Sequence, residues 1–238
     1  MRKSLFVTVL LTIACGMMWI LFLAATHRSP VLDAGEMVRV EGGEWIDSDQ
    51  PDRKIHVHPF LIDKYEVTNA QFARFRPDYK VPEQQEDFPV TNITWEEAAA
   101  YAKWAGKQLP TEAEWELAAG VAENRRYPWG KEKRVPDLKD AKACQKVGSY
   151  RANLSLAGCY DMEGNVWEWT ADNFSKTTAD AMANGAAAPK KILKGGWREF
   201  KKSVTPTAIK EQITLDPQKA YSHVGFRCVR RLQPGQNQ

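Results

Sequence analysis

The clearest hydrophobic pattern in the chain is the helical spacing of the stretch TWEEAAAYAKWAG. Thr94 followed by Glu97 is a capping box, in which the two side chains satisfy the first free backbone N–H groups of a helix. Gly106 supplies the stop signal, because glycine readily adopts the left-handed conformation that ends helices. The pattern therefore predicts an amphipathic helix. Its apolar stripe contains Trp95, Ala98, Ala102, Trp104 and Ala105.

Two further helices are predicted from similar signals. Thr111, with a glutamate three residues later, forms a second capping box, and the stretch TEAEWELAAG ends at Gly120. The stretch TNAQFARF predicts a third helix, with Thr68 as its cap and with Phe72 and Phe75 facing inward. All three helices are short, so the rest of the domain must be strand and loop.

Alternation of apolar and polar residues predicts extended structure nearer the N-terminus. The stretch MVRVEGGEWIDSD alternates on both sides of a Gly-Gly pair, as a strand or a hairpin does. KIHVHPFLIDKYEVT is a second extended stretch, with Ile55, Val57 and Phe60 as expected core residues. His56 and His58 then fall on the opposite face. Two imidazoles could bind a metal, but a solvated strand face is favoured because no third ligand is evident.

Beyond the second capped helix the chain loses its periodicity. Brief apolar runs, turns and isolated aromatic residues follow one another without a repeat, and residues 179–191 read as a small, polar surface insertion. The length of 238 residues, with 43% hydrophobic and 26% charged residues, fits one globular domain. A domain so rich in loops is expected to be held by tryptophan packing, a disulfide and bound cations.

The charge distribution argues against a nucleic-acid partner. The chain has 33 Lys and Arg residues against 30 Asp and Glu residues, a formal net charge of +3. The basic residues are scattered apart from short clusters, whereas a nucleic-acid binder concentrates them on one face.

The N-terminus predicts export. Met1-Arg2-Lys3 precedes an uncharged run over residues 4–26 that is long enough to cross a bilayer as a helix. We expect a periplasmic domain anchored in the inner membrane; a cleaved signal peptide, with release into the periplasm, stays open. A lipoprotein attached at Cys15 is disfavoured, because the apolar run continues beyond it. The predicted boundaries are 1–28 for the signal anchor or signal peptide, 29–36 for a linker, 37–232 for the domain and 233–238 for a tail.

Export also decides how the other cysteines are interpreted, because the destination is an oxidising compartment. Cys144 and Cys159 flank the short stretch CQKVGSYRANLSLAGC, and we predict a disulfide between them. Cys228 would then be a buried free thiol. The alternative, in which all three are simply small buried residues, stays open.

Several separated motifs together resemble one family. YEVTNAQFARF, PVTNITWEEAAAYAKWAGKQLPTEAEWELAAG, RYPWG, YDMEGNVWEWTAD, KGGW and VGFRCVR, in this order, look like the formylglycine-generating enzymes, also called the sulfatase-modifying factor domain. The resemblance covers nearly everything from Met37 to Arg231. It implies an α+β domain related to the C-type lectin fold, low in regular secondary structure and usually held together by calcium. It also implies that Cys228 lacks its usual partner, since Ala102 stands in that place.

The resemblance breaks at the family's reactive centre. Family enzymes oxidise a cysteine of a client sulfatase with molecular oxygen and with copper bound by two cysteine thiolates. Those cysteines lie a few residues past the glycine pair equivalent to Gly195 and Gly196, about where Phe200 and Thr205 stand here. Neither a phenyl ring nor a hydroxyl replaces a thiolate as a ligand of Cu(I). We therefore expect no copper and assign no catalytic residue.

The family's calcium motif is retained as DMEGNVWEW. The resemblance assigns calcium ligation to the carboxylates of Asp161 and Glu168 and to the backbone carbonyls of Gly164 and Val166. Together these groups offer the all-oxygen cage that a hard cation needs. Without the family motif, two solvated acids would be the preferred interpretation. The family's second calcium site has no clean match within residues 137–144.

The segment that replaces the reactive centre is interpreted as a contact surface. Arg198, Lys201 and Lys202 surround Phe200 in the sequence, an aromatic anchor with a basic rim that suits an acidic protein partner. The alternative is that Phe200 fills the vacated pocket and the basic residues are solvated.

The predicted function is therefore that of a non-catalytic exported domain that binds an exported or membrane protein. The architecture resembles that of small exported family members in the threonine-phosphorylation pathway that controls type VI secretion. The expected partner is then the sensor domain of a membrane kinase or a lipoprotein. The alternative function is an oxidoreductase with a non-copper or substrate-borne mechanism, as in siderophore maturation.

Overall fold

A computed structural model describes residues 35–47, 52–120, 144–150, 154–174, 189–196 and 213–232 of the chain. Within these ranges no helix is long and apolar enough to cross a membrane. The apolar N-terminal run lies outside them, so the predicted anchor or signal peptide is not described.

The three predicted helices are present, and each begins at its threonine cap. They are α1 (Asn69–Phe75), α2 (Trp95–Trp104) and α3 (Glu112–Ala119). In each capping box the threonine hydroxyl accepts from the N–H three residues later, and that residue's side chain accepts from the threonine N–H. Gln71 completes the box of α1, and Gly120 ends α3 with a φ of 96°. The local signals therefore located all three helices.

The described strands form three sheets. In the first, β4 (Phe60–Asp63) lies between β1 (Met37–Val40) and β9 (Val229–Arg231), and both pairings are antiparallel. The second is the antiparallel pair of β2 (Gly43–Ile46) and β3 (Lys54–Val57). The third has the order β7 (Ile213–Leu215), β6 (Lys191–Gly196), β5 (Gly164–Asn173) and β8 (Val224–Gly225), of which only β5 and β8 are parallel.

The N-terminal strands have other partners than the sequence suggested. β1 and β2 flank the Gly-Gly turn but do not pair as a hairpin, because Gly42 and Gly43 have φ values of 78° and 139° and lead the chain into another sheet. The second extended stretch is likewise divided before Pro59, with β3 and β4 in different sheets. Its predicted faces are confirmed: Phe60 is buried, and Ile55 packs against the core.

The core has a mixed apolar part and an aromatic part. The first joins α3 to the two N-terminal sheets and contains Val40, Trp45, Phe60, Ile62, Ala113, Trp115, Leu117, Ala118, Ala119, Cys159, Met162 and Val229. The aromatic part centres on Tyr101 of α2, whose ring centroid lies 5.9 Å from that of Phe72 and 5.3 Å from that of Phe226. Tyr101 was not part of the predicted stripe. Trp95 and Trp104 belong to the predicted stripe, but both are only half-buried.

Candidate functional site

Glu168, a predicted calcium ligand on β5, lies in a wholly buried ion pair with Arg227. Arg227 Nε donates to Glu168 Oε2 at 2.7 Å, and Arg227 Nη2 donates to Glu168 Oε1 at 2.7 Å. Trp115 Nε1 donates to Oε2 at 2.9 Å. Neither charged side chain has any exposed area. Both carboxylate oxygens of Glu168 are therefore occupied by donors from within the protein.

Arg227 also joins the buried backbone around the site. Its Nη2 donates to the carbonyl of Tyr160 at 2.8 Å, and its Nη1 donates to the carbonyl of Asp63 at 3.2 Å. Burial opposes the charge of this guanidinium, but the carboxylate of Glu168 outweighs that effect and raises the pKa of Arg227. Arg227 is thus a buried positive charge in direct contact with Glu168, one of the predicted calcium ligands.

A tight turn leads the chain into β5 and carries the other predicted ligands. Asp161, Gly164 and Asn165 have φ values of 60°, 96° and 52°. Aspartate, asparagine and glycine are the residues that adopt this left-handed region most readily. The turn leaves Asp161 wholly buried, with its Oδ2 accepting from the backbone N–H of Gly148 at 2.7 Å.

Glu66, which the sequence had not singled out, lies beside this turn. Asn165 Nδ2 donates to Glu66 Oε2 at 3.1 Å, while Glu66 Oε1 and Asp161 Oδ1 are buried without a hydrogen-bond partner in the described part of the chain. Burial raises the pKa of Glu66 well above its ordinary value, and the charges of Asp161 and Glu168 add to the increase. Burial likewise raises the pKa of Asp161 to about 6. The site thus contains more carboxylates than Arg227 alone can neutralise.

The predicted calcium cage would share Glu168 with Arg227. Asp161 Oδ1 has no hydrogen-bond partner among the described residues, and each oxygen of Glu168 accepts from Arg227, although a carboxylate has about four acceptor sites. Within the described ranges, no group of three or more His, Cys, Asp or Glu side chains is arranged to hold a metal. Calcium at Asp161, Gly164, Val166 and Glu168 stays a prediction, and at that site Glu168 would have to contact both Arg227 and the ion.

Asp161→Asn is expected to raise the melting temperature at pH 8 in the presence of a chelator. The folded-state pKa of Asp161, about 6, lies above its ordinary value of 3.8. The protonated carboxyl of Asp161 therefore stabilises the folded state below pH 4, and this stabilisation is lost as the pH rises through about 6. Asparagine keeps the polar contact and adapts to the left-handed backbone, without the charge. The advantage of the variant should accordingly disappear when the pH is lowered to 4.

Excess calcium provides the second arm of this experiment. A ligand that binds only the folded state stabilises it by mass action. If the predicted cage is occupied, calcium should raise the melting temperature of the wild type more than that of Asp161→Asn, because a neutral amide oxygen binds the ion more weakly than a carboxylate. Asp78→Asn, at an exposed position, is the control for the loss of one negative charge. A calcium response that is equal in all three proteins would place the ion elsewhere.

The two cysteines of the predicted bridge lie in different surroundings. Cys144, Cys159 and Cys228 are all free thiols in the structure. Cys159 is wholly buried in the mixed apolar part of the core, whereas Cys144 is half-buried, and its surroundings include the charges of Glu66 and Asp161. The Cys144–Cys159 disulfide stays a prediction. Sequence proximity did not reveal that the two side chains belong to different environments.

The predicted contact surface lies outside the described residues. This applies to Arg198, Phe200, Lys201 and Lys202, which follow the end of β6. β6 ends at Gly196, the last described residue before this segment. Gly196 pairs with the start of β5 and has a φ of 105°. A Cβ atom there would lie 2.2 Å from Cε2 of the Trp167 indole, so only glycine permits this close packing.

Sequence reasoning missed two further buried ion pairs. Lys107 Nζ contacts Asp63, and both side chains are almost completely buried. Lys194 Nζ donates to Glu116 Oε1 at 2.5 Å, and Glu116 Oε2 accepts from Trp45 Nε1 at 2.7 Å. The available signal was a charged residue within an apolar strand, such as Lys194 in ILKGG. A charge at such a position predicts a buried partner, because isolated charges are too costly to bury.

Comparison with known proteins agrees with this fold. The family described as "Sulfatase-modifying factor enzyme 1-like domain" matches residues 24–232. A formylglycine-generating enzyme from Streptomyces coelicolor is 29% identical over 81% of this chain and 88% of its own length. The solved structure of CarF covers 84% of this chain and 100% of its own, with a TM-score of 0.64 and 20% identity.

A second kind of relative is much longer. The serine/threonine-protein kinase pkn1 of Chlamydia caviae is 30% identical over 83% of this chain, but the match spans only 38% of the kinase. Similarity to this chain is thus found both in a formylglycine-generating enzyme and in part of a protein kinase. Because the family match covers most of the residues, including every described strand and helix, the chain belongs to the family of the sulfatase-modifying factor enzyme 1-like domain.

Proposed function

We propose that this chain is an exported, non-catalytic member of its family that binds a protein partner. One observation carries the proposal: the sequence has no cysteine between Gly196 and Cys228, the stretch in which family enzymes place their copper-binding pair. Thiolate is both the metal ligand and the reactive group in that chemistry. A domain that keeps the fold without these groups retains a surface for binding but loses the means of oxidation.

The remaining described cysteines support the non-catalytic interpretation. Burial raises the pKa of Cys144 to about 12 and that of Cys159 to about 11, and it raises the pKa of Cys228 well above its ordinary value. All three are therefore protonated thiols at neutral pH. A protonated thiol is a poor nucleophile and a poor metal ligand, so none of them is suited to replace the missing pair.

The proposed setting is the periplasm. The N-terminal apolar run would anchor the domain in the inner membrane, or would be removed on export. We assign the domain to the regulation of type VI secretion through the threonine-phosphorylation pathway, with the sensor domain of a membrane kinase or a lipoprotein as partner. The similarity to part of a serine/threonine-protein kinase favours a kinase-linked role for domains of this kind.

Reversing the charges of Lys201 and Lys202 to glutamate is expected to weaken capture of the partner at least tenfold. The reason is that the basic rim around Phe200 would then repel an acidic surface. The measurement is recovery of a membrane kinase or a lipoprotein from detergent-solubilised membranes, with the full chain as bait. Lys80→Glu with Lys103→Glu is the matched control, since both lysines are exposed and the change in net charge is equal.

Undiminished capture by the Lys201 and Lys202 variant, at both low and high salt, would remove this face from the proposal. Failure of the wild type to capture any membrane kinase or lipoprotein would contradict the proposed function itself. A stoichiometric redox metal in the purified chain would instead favour the oxidoreductase alternative.

A further inference from the structure

A cleft of about 630 Å³ opens between β3, the start of α3 and the end of β5. It lies beside Asp172 and Asn173, at the end of β5 that pairs with Lys191. The predicted calcium turn and the exit toward residues 197–212 are at the other end, where Gly164 pairs with Gly196. Ten strand residues separate the two ends by up to about 30 Å. The cleft is therefore distinct from the site described above.

The cleft has an apolar floor and a charged rim. The floor is formed by Trp45, Ile55, Val57, Ala113 and Ile192. The rim carries the guanidinium groups of Arg39, Arg53 and Arg231 and, on the side of α3, acidic residues that include Glu112. The volume is typical of ligand-binding clefts in proteins. Its composition suits a ligand with both apolar and charged groups.

The free edge of β3 borders this cleft. Five consecutive residues, 55–59, line it, so residues from both faces of the strand contribute. From β2, by contrast, only Trp45 takes part. Among the described strands β3 pairs with β2 alone, which leaves its second edge without a partner strand. An unpaired edge presents backbone N–H and C=O groups to any extended chain that approaches it.

The hydrogen-bond pattern shows which backbone groups this edge presents. Asp47 N donates to Arg53 O at 3.1 Å, just beyond the register pair of Ile46 and Lys54. In an antiparallel pair, hydrogen-bonded and non-hydrogen-bonded positions alternate. Residues 53, 55 and 57 therefore bond toward β2. The backbone N–H and C=O groups of Lys54 and His56 point away from β2, toward the free edge, where His56 lines the cleft.

The side chains of β3 indicate which sequence would bind. Lys54, His56 and His58 are exposed on one face, whereas Ile55 and Val57 pack against the core on the other. A strand added beside β3 would place its side chains alternately against these two faces. Acidic residues suit the basic face, and apolar residues suit the floor of the cleft. The complementary ligand is thus an extended chain in which acidic and apolar residues alternate.

We propose that the free edge of β3 binds an extended acidic segment of a partner protein, which adds a strand to the β2–β3 sheet and inserts its apolar side chains into the cleft. Strand addition gives affinity through backbone hydrogen bonds and specificity through alternate side chains. A second copy of this chain fits less well, since its β3 would arrive with β2 attached. The proposal does not depend on the surface around Phe200.

Selection from a phage-displayed library of linear twelve-residue peptides, with the full chain in detergent as target, tests the proposal. The enriched peptides should alternate apolar and acidic residues. Synthetic copies, measured by fluorescence anisotropy, should bind His56→Pro at least tenfold more weakly than wild type. Proline removes the outward N–H of residue 56 and places its ring on the edge, without touching a bond to β2.

Glu44→Pro is the matched control. Glu44 lies directly opposite His56 in the register, is also exposed, and directs its backbone to the far edge of the same sheet. It should bind the peptides within twofold of wild type. Lys54→Glu leaves the backbone intact and should weaken binding severalfold while reducing its salt dependence. This variant keeps the proposal testable even if His56→Pro does not fold.

Several results would overturn the proposal. These are no enrichment, enriched peptides without the alternating acidic pattern, or equal binding to Lys54→Glu and wild type. Equal binding to the two proline variants would place the peptide elsewhere. A dimer that His56→Pro converts to a monomer would show that the edge binds a second copy instead.

Discussion

Replacement of Arg227 by methionine is expected to lower the free energy of unfolding by about 3–5 kcal/mol, because it leaves a buried carboxylate without its charge partner. Arg227 and Glu168 are both fully buried, and two hydrogen bonds of 2.7 Å join them. The same substitution removes the donors to the carbonyls of Tyr160 and Asp63. Urea denaturation of the purified chain at pH 7 measures the loss.

Arg39→Met is the matched control. Arg39 pairs with Glu41 at 2.8 Å on the surface, where solvent screens the interaction, so its replacement should not change stability measurably. The double variant Arg227→Met with Glu168→Gln should recover part of the loss, since it removes the stranded charge. If Arg227→Met is no less stable than Arg39→Met, another cation must compensate Glu168. Rescue of Arg227→Met by calcium would identify that cation.

The chain is expected to show no formylglycine-generating activity. A peptide carrying the cysteine of a sulfatase should remain unoxidised in the presence of copper and oxygen, at the background rate of copper in buffer. The physical reason is that Phe200 and Thr205 provide no thiolate, while the described cysteines are buried and protonated. Mass spectrometry of the peptide measures conversion of the cysteine to an aldehyde.

The Streptomyces coelicolor enzyme is the positive control for this assay, because it covers most of this chain and is named for the activity. Turnover by the present chain above the copper background would refute the non-catalytic proposal. Oxidation that persists without copper would indicate the alternative, an oxidoreductase with another metal or with chemistry provided by its substrate.

Local sequence was sufficient for the helices and for the buried faces of strands. A capping box joins residues only three positions apart, so Thr94 and Glu97 determine where α2 begins whatever surrounds them. Alternation similarly separated Ile55 and Val57, which pack against the core, from the exposed His56 and His58. The ordered motifs also predicted the family correctly, because they preserve many such local signals at once.

Strand partners and buried charges were decided by the tertiary structure. The φ values of Gly42 and Gly43 send β2 to β3 rather than back to β1, which leaves the edge of β3 free beside the cleft. The local motif predicted Glu168 as a calcium ligand, and only the fold showed its ion pair with Arg227, 59 positions away in the sequence. Pairings at such separations depend on how whole elements pack, and no periodicity within either segment encodes them.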